Sequence, residues 1–175
     1  MTLRPSDVVV AMQLVLSVER SYGPLSCSVG ISLGESHNAV RRLVSARLAS
    51  GLPVAIEREN LIDFLVHGVP YAYPATIGAE TWGVPTAPLP DASPFVWPSV
   101  TGKAWGRAIT PLYSGASTRR GANPRLYGLL AFIDCIRIGN AAEQKWAAGL
   151  VRERLHPPTF RNRSRRARAT SLDAA

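Results

Sequence analysis

The chain has 175 residues, 46% of them hydrophobic, which is enough for a buried core without disulfides or metals. It carries 20 basic against 12 acidic residues, a formal net charge of +8, and 18 of the 20 bases are arginine. That balance argues against an acidic, disordered solvating chain and favours polyanionic partners, nucleic acid first among them. No apolar run reaches the ~18 residues of a membrane span, and the N-terminus lacks a basic-then-apolar leader pattern. A cytoplasmic protein without membrane contact is expected.

The predicted elements begin with a helix over residues 7–18. Ser6 after Pro5 reads as its N-cap, and Asp7 sits in the first turn, where the helix dipole favours an anion. The body of this helix is apolar on most sides, so its neighbours should bury it. Ser21-Tyr22-Gly23-Pro24 breaks the chain, and a short helix follows over 25–29. Gly30-Ile31-Ser32 is then a tight turn. Ser32 with Glu35 three residues on predicts a capping box, and the helix it opens runs to 46–48. Gly51 closes the region in the manner of a C′ glycine.

Residues 52–57 read as a short extended piece, and 60–67 as a helix stopped by Gly68. From 69 to 98 prolines recur, with Tyr71, Tyr73, Trp82, Phe95 and Trp97 between them. Prolines interrupt regular structure, whereas aromatics are scarce in disordered linkers. An ordered but irregular wrap is expected. Asn123 and Pro124 open a helix over 123–138, and Asn140 with Glu143 opens another that ends near 155. Residues 160–175 hold five arginines against Asp173 and no hydrophobic periodicity, which predicts a disordered basic tail.

The chemistry-bearing unit spans 25–48: a short helix, a turn with glycine, and a capped second helix. That order is the helix-turn-helix plan, whose second helix enters the major groove. On this reading Ser32, Glu35, Ser36, His37 and Asn38 lie closest to base edges, and Arg41 and Arg42 reach phosphate or guanine one turn later. Catalytic and metal sites are not expected. His37, His67 and His156 lack metal-spaced partners, Gly102-Lys103 lacks the rest of a P-loop, and no Gly-x-Ser-x-Gly elbow is present. Cys27 and Cys135 are expected as two buried, reduced thiols. No cofactor is implied.

Residues 2–68 resemble a MarR-like winged-helix family of bacterial regulators. The matching stretches are Leu3-Arg4-Pro5-Ser6-Asp7, Ser21-Tyr22, Gly30-Ile31-Ser32-Leu33-Gly34-Glu35-Ser36-His37 and Val40-Arg41-Arg42-Leu43. More distinctive is the block from Leu61 to Tyr71, with Pro74 and Gly83-Val84-Pro85-Thr86-Ala87 after it, and the similarity continues through Leu155. The sequence departs from the pattern at Leu25-Ser26-Cys27-Ser28, where an alanine is usual, and in a minimal wing of about seven residues. Family members of this kind are often encoded beside nucleotidyltransferase-like toxins of the AbiE type, which implies a second role as antitoxin.

The expected architecture is therefore mainly α. A winged helix-turn-helix domain with minimal wing spans 1–68, an irregular segment plus C-terminal helices spans 69–159, and a tail spans 160–175. The expected partners are double-stranded DNA and a nucleotidyltransferase-like toxin, with a homo-oligomer compatible with both. Tyr71, Tyr73, Trp82 and Trp97 in the wrap, with Arg125 and Trp146 on the C-terminal helices, are the candidate protein contacts, because aromatics and arginine anchor interfaces. A MarR-like transcriptional regulator without a toxin is the alternative.

Overall fold

A computed structural model of the chain describes residues 2–17, 21–51, 53–89 and 94–156. The expected basic tail lies outside the described residues. What is described is mainly helical, with a two-residue hairpin and a small three-stranded sheet.

Helix α1, Pro5–Leu16, has Val8, Val9, Val10, Ala11 and Met12 fully buried, as an all-round apolar helix requires. Its N-cap is Arg4 rather than Ser6. Asp7 reaches back to accept the Arg4 backbone N–H at 2.8 Å, so the cap comes from the third helical position. Helix α2, Tyr22–Val29, ends on Gly30, whose φ of +78° lies in the left-handed region. Helix α3, Leu33–Ser45, opens on Ser32, whose Oγ accepts the Glu35 N–H at 3.1 Å. Only that half of the predicted capping box forms, because the Glu35 carboxylate turns to Arg42 and Arg4 instead.

The end of α3 also differs from expectation. Arg47, at φ +58°, takes the left-handed position, with Leu48 N–H donating to Leu43 O at 2.9 Å and Arg47 N–H to Val44 O at 3.0 Å. This is a Schellman closure without its usual glycine. Gly51, at φ +71°, instead turns the hairpin between β1 (Ala49–Ser50) and β2 (Ala55–Ile56).

Helix α4, Arg58–Asp63, does not stop at Gly68. It passes through a π-helical turn, Phe64–Gly68, into α5, Val69–Ala72. Pro70 has no N–H and its ring crowds the carbonyl four residues back, so a widened turn lets the helix continue past it. The Phe64 ring packs where a Cβ on residue 68 would stand, which only glycine allows. The domain boundary expected at 68/69 thus falls inside a continuous helical run.

The expected irregular wrap is largely a sheet. Strand β3, Ile77–Thr86, pairs antiparallel with β4, Phe95–Pro98, and with β5, Ala104–Ile109. Strands β4 and β5 pair in parallel, which closes the three into a ring. The prolines mostly bound the strands: Pro74 and Pro88 flank β3, and Pro94 and Pro98 bracket β4. Most of the long strand lies in the proline-free stretch 75–84. Gly83 and Gly106 allow the tight closure, since a Cβ at either would strike the backbone of Trp97 or Pro94.

A one-turn 3₁₀ segment, Ala116–Thr118, and the short α6, Arg119–Ala122, lead to α7, Pro124–Ile138, and α8, Ala141–Leu155. Asn123 caps α7 through the Leu126 N–H, and Asn140 and Glu143 form the expected capping box on α8. One core joins every part: Met12 of α1, Leu43 of α3, Leu65 of the π-turn, Trp97 of β4, Ile133 of α7 and Val151 of α8 are all buried in it.

Candidate nucleic-acid interface

Helix α3 is fixed from beneath by charge. The Arg42 guanidinium donates from Nε to Asp7 Oδ2 and from Nη2 to Asp7 Oδ1, both at 2.7 Å, and Nη2 also meets Glu35 Oε1. Arg4 Nη1 completes the cluster at 3.3 Å from Glu35. Asp7 is fully buried and Arg42 nearly so. The hydrogen bond to Asp7 raises the Arg42 pKa further above its usual value. Arg42, expected at the DNA, is instead the bolt between α1 and α3, because a buried carboxylate needs a charged partner. Ser36 is also corrected: it is fully buried, and its Oγ donates to Ser32 O at 3.1 Å.

The outward positions of α3 are Leu33, Gly34, His37, Asn38, Arg41, Val44 and Ser45, a single stripe at spacings of three and four. Ser32 is exposed at its start and Glu35 half-buried at its edge. His37 stacks on Tyr22 of α2, with ring centroids 3.7 Å apart. Arg41 is exposed and makes no ion pair among the described residues. Of the seven expected DNA contacts, then, Ser32, His37, Asn38 and Arg41 share an open surface. Glu35 is engaged by Arg42 and Arg4, and Ser36 and Arg42 face inward. The hairpin beside α3 offers no cation, since residues 48–57 contain neither lysine nor arginine.

Two residues that sequence reading missed secure the turn before α3. Arg119 Nη1 donates to Ser28 O at 2.9 Å, and the Tyr113 hydroxyl donates to Val29 O at 3.3 Å. They satisfy carbonyls at the C-terminal end of α2, where cations and donors are favoured. Burial pushes the Tyr113 hydroxyl pKa up to about 12. Nothing in the local pattern of residues 113–119 marks this role, which depends on a contact 84 to 91 residues away in the chain.

The expected protein contacts separate. Tyr71 is 86% exposed, and Trp82 and Trp146 are 56% and 45% exposed. Arg125 is exposed and lines a groove with Leu16, Arg58, Leu150 and Arg154. Tyr73 is half-buried and spends its hydroxyl on Leu3 O at 2.9 Å. Trp97 is corrected: it is buried, and its indole N–H donates to Asp134 Oδ2 at 2.6 Å. Asp134 also accepts from the Thr86 hydroxyl at 2.8 Å and from Arg137 Nη1 at 2.7 Å. Arg137 in turn donates to Tyr73 O and Thr110 O. Burial pushes the Asp134 pKa up, against the pull of Arg137 and the two neutral donors. This network ties the ring sheet to α7.

Of the two thiols, Cys135 is buried, with its pKa pushed up to about 12 by desolvation, whereas Cys27 is exposed. The expectation of two buried thiols fails because Cys27 lies on the outer side of the short α2. Among the described residues no three His, Cys, Asp or Glu side chains gather as metal ligands, and no helix is long and apolar enough to cross a membrane. No family model matches the sequence, and no curated protein or solved structure matches it either.

Proposed function

We propose that the chain is a DNA-binding transcriptional regulator of winged helix-turn-helix type, with α2 and α3 as the two helices and β1–β2 as a minimal wing. The observation that carries this reading is the outer stripe of α3. It follows a glycine turn, is capped by Ser32, and presents His37, Asn38 and Arg41 together while the Asp7–Arg42 pair fixes the helix on α1. Side chains near the start of such a helix are those that meet base edges. Arg41 is the residue assigned to guanine or phosphate. The wing carries no cation and adds little to affinity, so α3 supplies the specificity. The test is a gel shift on the promoter of its own gene: Arg41→Ala should weaken binding about 5- to 150-fold, while an exposed change away from α3, such as Lys145→Ala, should not. Equal binding by wild type and Arg41→Ala would sink the assignment.

A second role as antitoxin to a nucleotidyltransferase-like toxin extends the reading. It is favoured by the large exposed side chains Tyr71 and Trp146, which lie on helices outside the α2–α3 unit. Co-expression of the full chain with a toxin encoded beside it should restore growth, and Tyr71→Ala/Trp146→Ala should not. Failure of the full chain to restore growth leaves the transcriptional regulator alone.

A further inference from the structure

Strands β3 and β5 carry a feature that the α3 reading does not use. Trp82 and Trp105 stand directly opposite each other in the antiparallel register, 56% and 50% exposed, with ring centroids 5.5 Å apart and planes at 71°. Their cross-strand contact stabilises the β3–β5 pair, yet each ring stays about half in water, which that contact alone does not require. The Trp105 indole N–H is already satisfied by Glu80 Oε2 at 3.2 Å, which fixes the ring, and the edge-to-face contact with Trp82 still leaves about half of each indole open to a ligand. Lys103, the residue before β5, and Arg107 on the strand lie two residues either side of Trp105, both exposed and neither in an ion pair among the described residues, with the Arg107 guanidinium over the Phe95 ring, 5.8 Å from its centroid. A two-residue step along a strand is about 6.7 Å, so Arg107 lies one such step along β5 from Trp105, and Lys103 precedes the strand on the other side.

We propose that the Trp82–Trp105 pair, with Lys103 and Arg107, is a stacking platform for single-stranded nucleic acid. Aromatic faces accept any base, and cations at each side meet the flanking phosphates, the combination that single-strand binders use without reading sequence. Among the described residues Glu80 is the one carboxylate in the patch, opposite Arg107 in the strand register. It is held by Trp105, and the two cations leave the patch net positive. Tryptophan and arginine also anchor protein interfaces, but lysine is depleted there, whereas lysine and arginine both serve phosphate, so the patch as a whole favours nucleic acid. The platform is separate from α3, so the chain has two nucleic-acid surfaces of different kinds.

The test uses the full chain and fluorescein-labelled oligo(dT) of about 12 nucleotides, with anisotropy and indole quenching as readouts. Wild type should bind and quench. Trp82→Ala/Trp105→Ala should weaken oligo(dT) binding on the order of tenfold or more while its duplex affinity stays near wild type. Trp82→Phe/Trp105→Phe should recover most of the loss, because a phenyl ring still stacks. Lys103→Ala/Arg107→Ala should lower the affinity and flatten its salt dependence. Arg41→Ala should leave oligo(dT) binding unchanged. Unaltered oligo(dT) affinity in the Trp82→Ala/Trp105→Ala protein overturns the platform. Equal loss of duplex and single strand overturns it too, as does equal quenching by polyglutamate, which marks an acidic-protein surface instead.

Discussion

Arg42 and Asp7, 35 residues apart in sequence, share two parallel hydrogen bonds of 2.7 Å in an almost water-free setting. The pair joins the helix that anchors the core to the helix that faces solvent. It also gives two adjacent arginines different roles, since Arg42 holds the helix in place and Arg41 faces whatever the helix meets.

That division predicts opposite phenotypes. Arg42→Ala strands a buried carboxylate and should cost about 3–5 kcal/mol, read as a lower urea midpoint with an unchanged slope. Arg41→Ala should leave stability within about 0.5 kcal/mol and act on DNA affinity alone. Replacing both partners, Arg42→Met with Asp7→Leu, should recover part of the stability lost by Arg42→Ala, since no buried charge is then left unpaired, while the lost cap on the Arg4 N–H still costs about 0.5–2 kcal/mol. Equal midpoints for wild type and Arg42→Ala would show that the pair contributes nothing.

The Asp134 cluster predicts a second fragile point. Asp134→Ala removes the acceptor for Trp97 and Thr86 and the partner of Arg137. The loss should be on the order of 3–5 kcal/mol and should change the near-UV circular dichroism of Trp97. Trp97→Phe loses the indole N–H bond to Asp134, about 1.5–3 kcal/mol, and adds a cavity cost because a smaller ring is left in a fully buried site. A Trp97→Phe protein as fragile as Asp134→Ala would place the effect in packing rather than in the carboxylate.

Alkali should unfold the protein through two buried acids. Burial raises both Tyr113 and Cys135 to about 12, from ordinary values of 10.0 and 9.0. The unfolded chain therefore releases these protons first, so stability is fully present below pH 9 and is lost as the pH rises from 9 to 12. Unfolding free energies measured across that window should fall more steeply for wild type than for Tyr113→Phe. Parallel slopes would remove Tyr113 from the account.

Much of the helical frame was legible because its signals are local. Ser32, Asn123 and Asn140 cap the helices they were expected to cap, and the apolar periods of α1 and α7 mark buried helices. The sheet was not legible, because its strands are bounded by the same prolines that suggest irregularity, and its closure depends on glycines facing distant backbone. The inward turn of Arg42 was hidden for a related reason. A helical wheel places Arg42 beside Arg41, and only the burial of Asp7 on another helix decides which of the two faces inward. Trp97 and Trp82 read alike as aromatics between prolines, yet Asp134 draws one inside and β5 leaves the other in water.

The helical run from Arg58 to Ala72 crosses the position where two domains were expected to part, and Leu61, Ile62, Leu65 and Val69 along it are all buried. A chain cut at residue 68 would therefore bare apolar surface on both pieces. Residues 2–156 should melt as one cooperative unit, with a single transition seen alike by tryptophan fluorescence and far-UV dichroism. Limited proteolysis under native conditions should spare the 68/69 bond. Whatever the sheet and α8 touch is thus thermodynamically linked to the stability of α3, although neither surface adjoins the other in sequence.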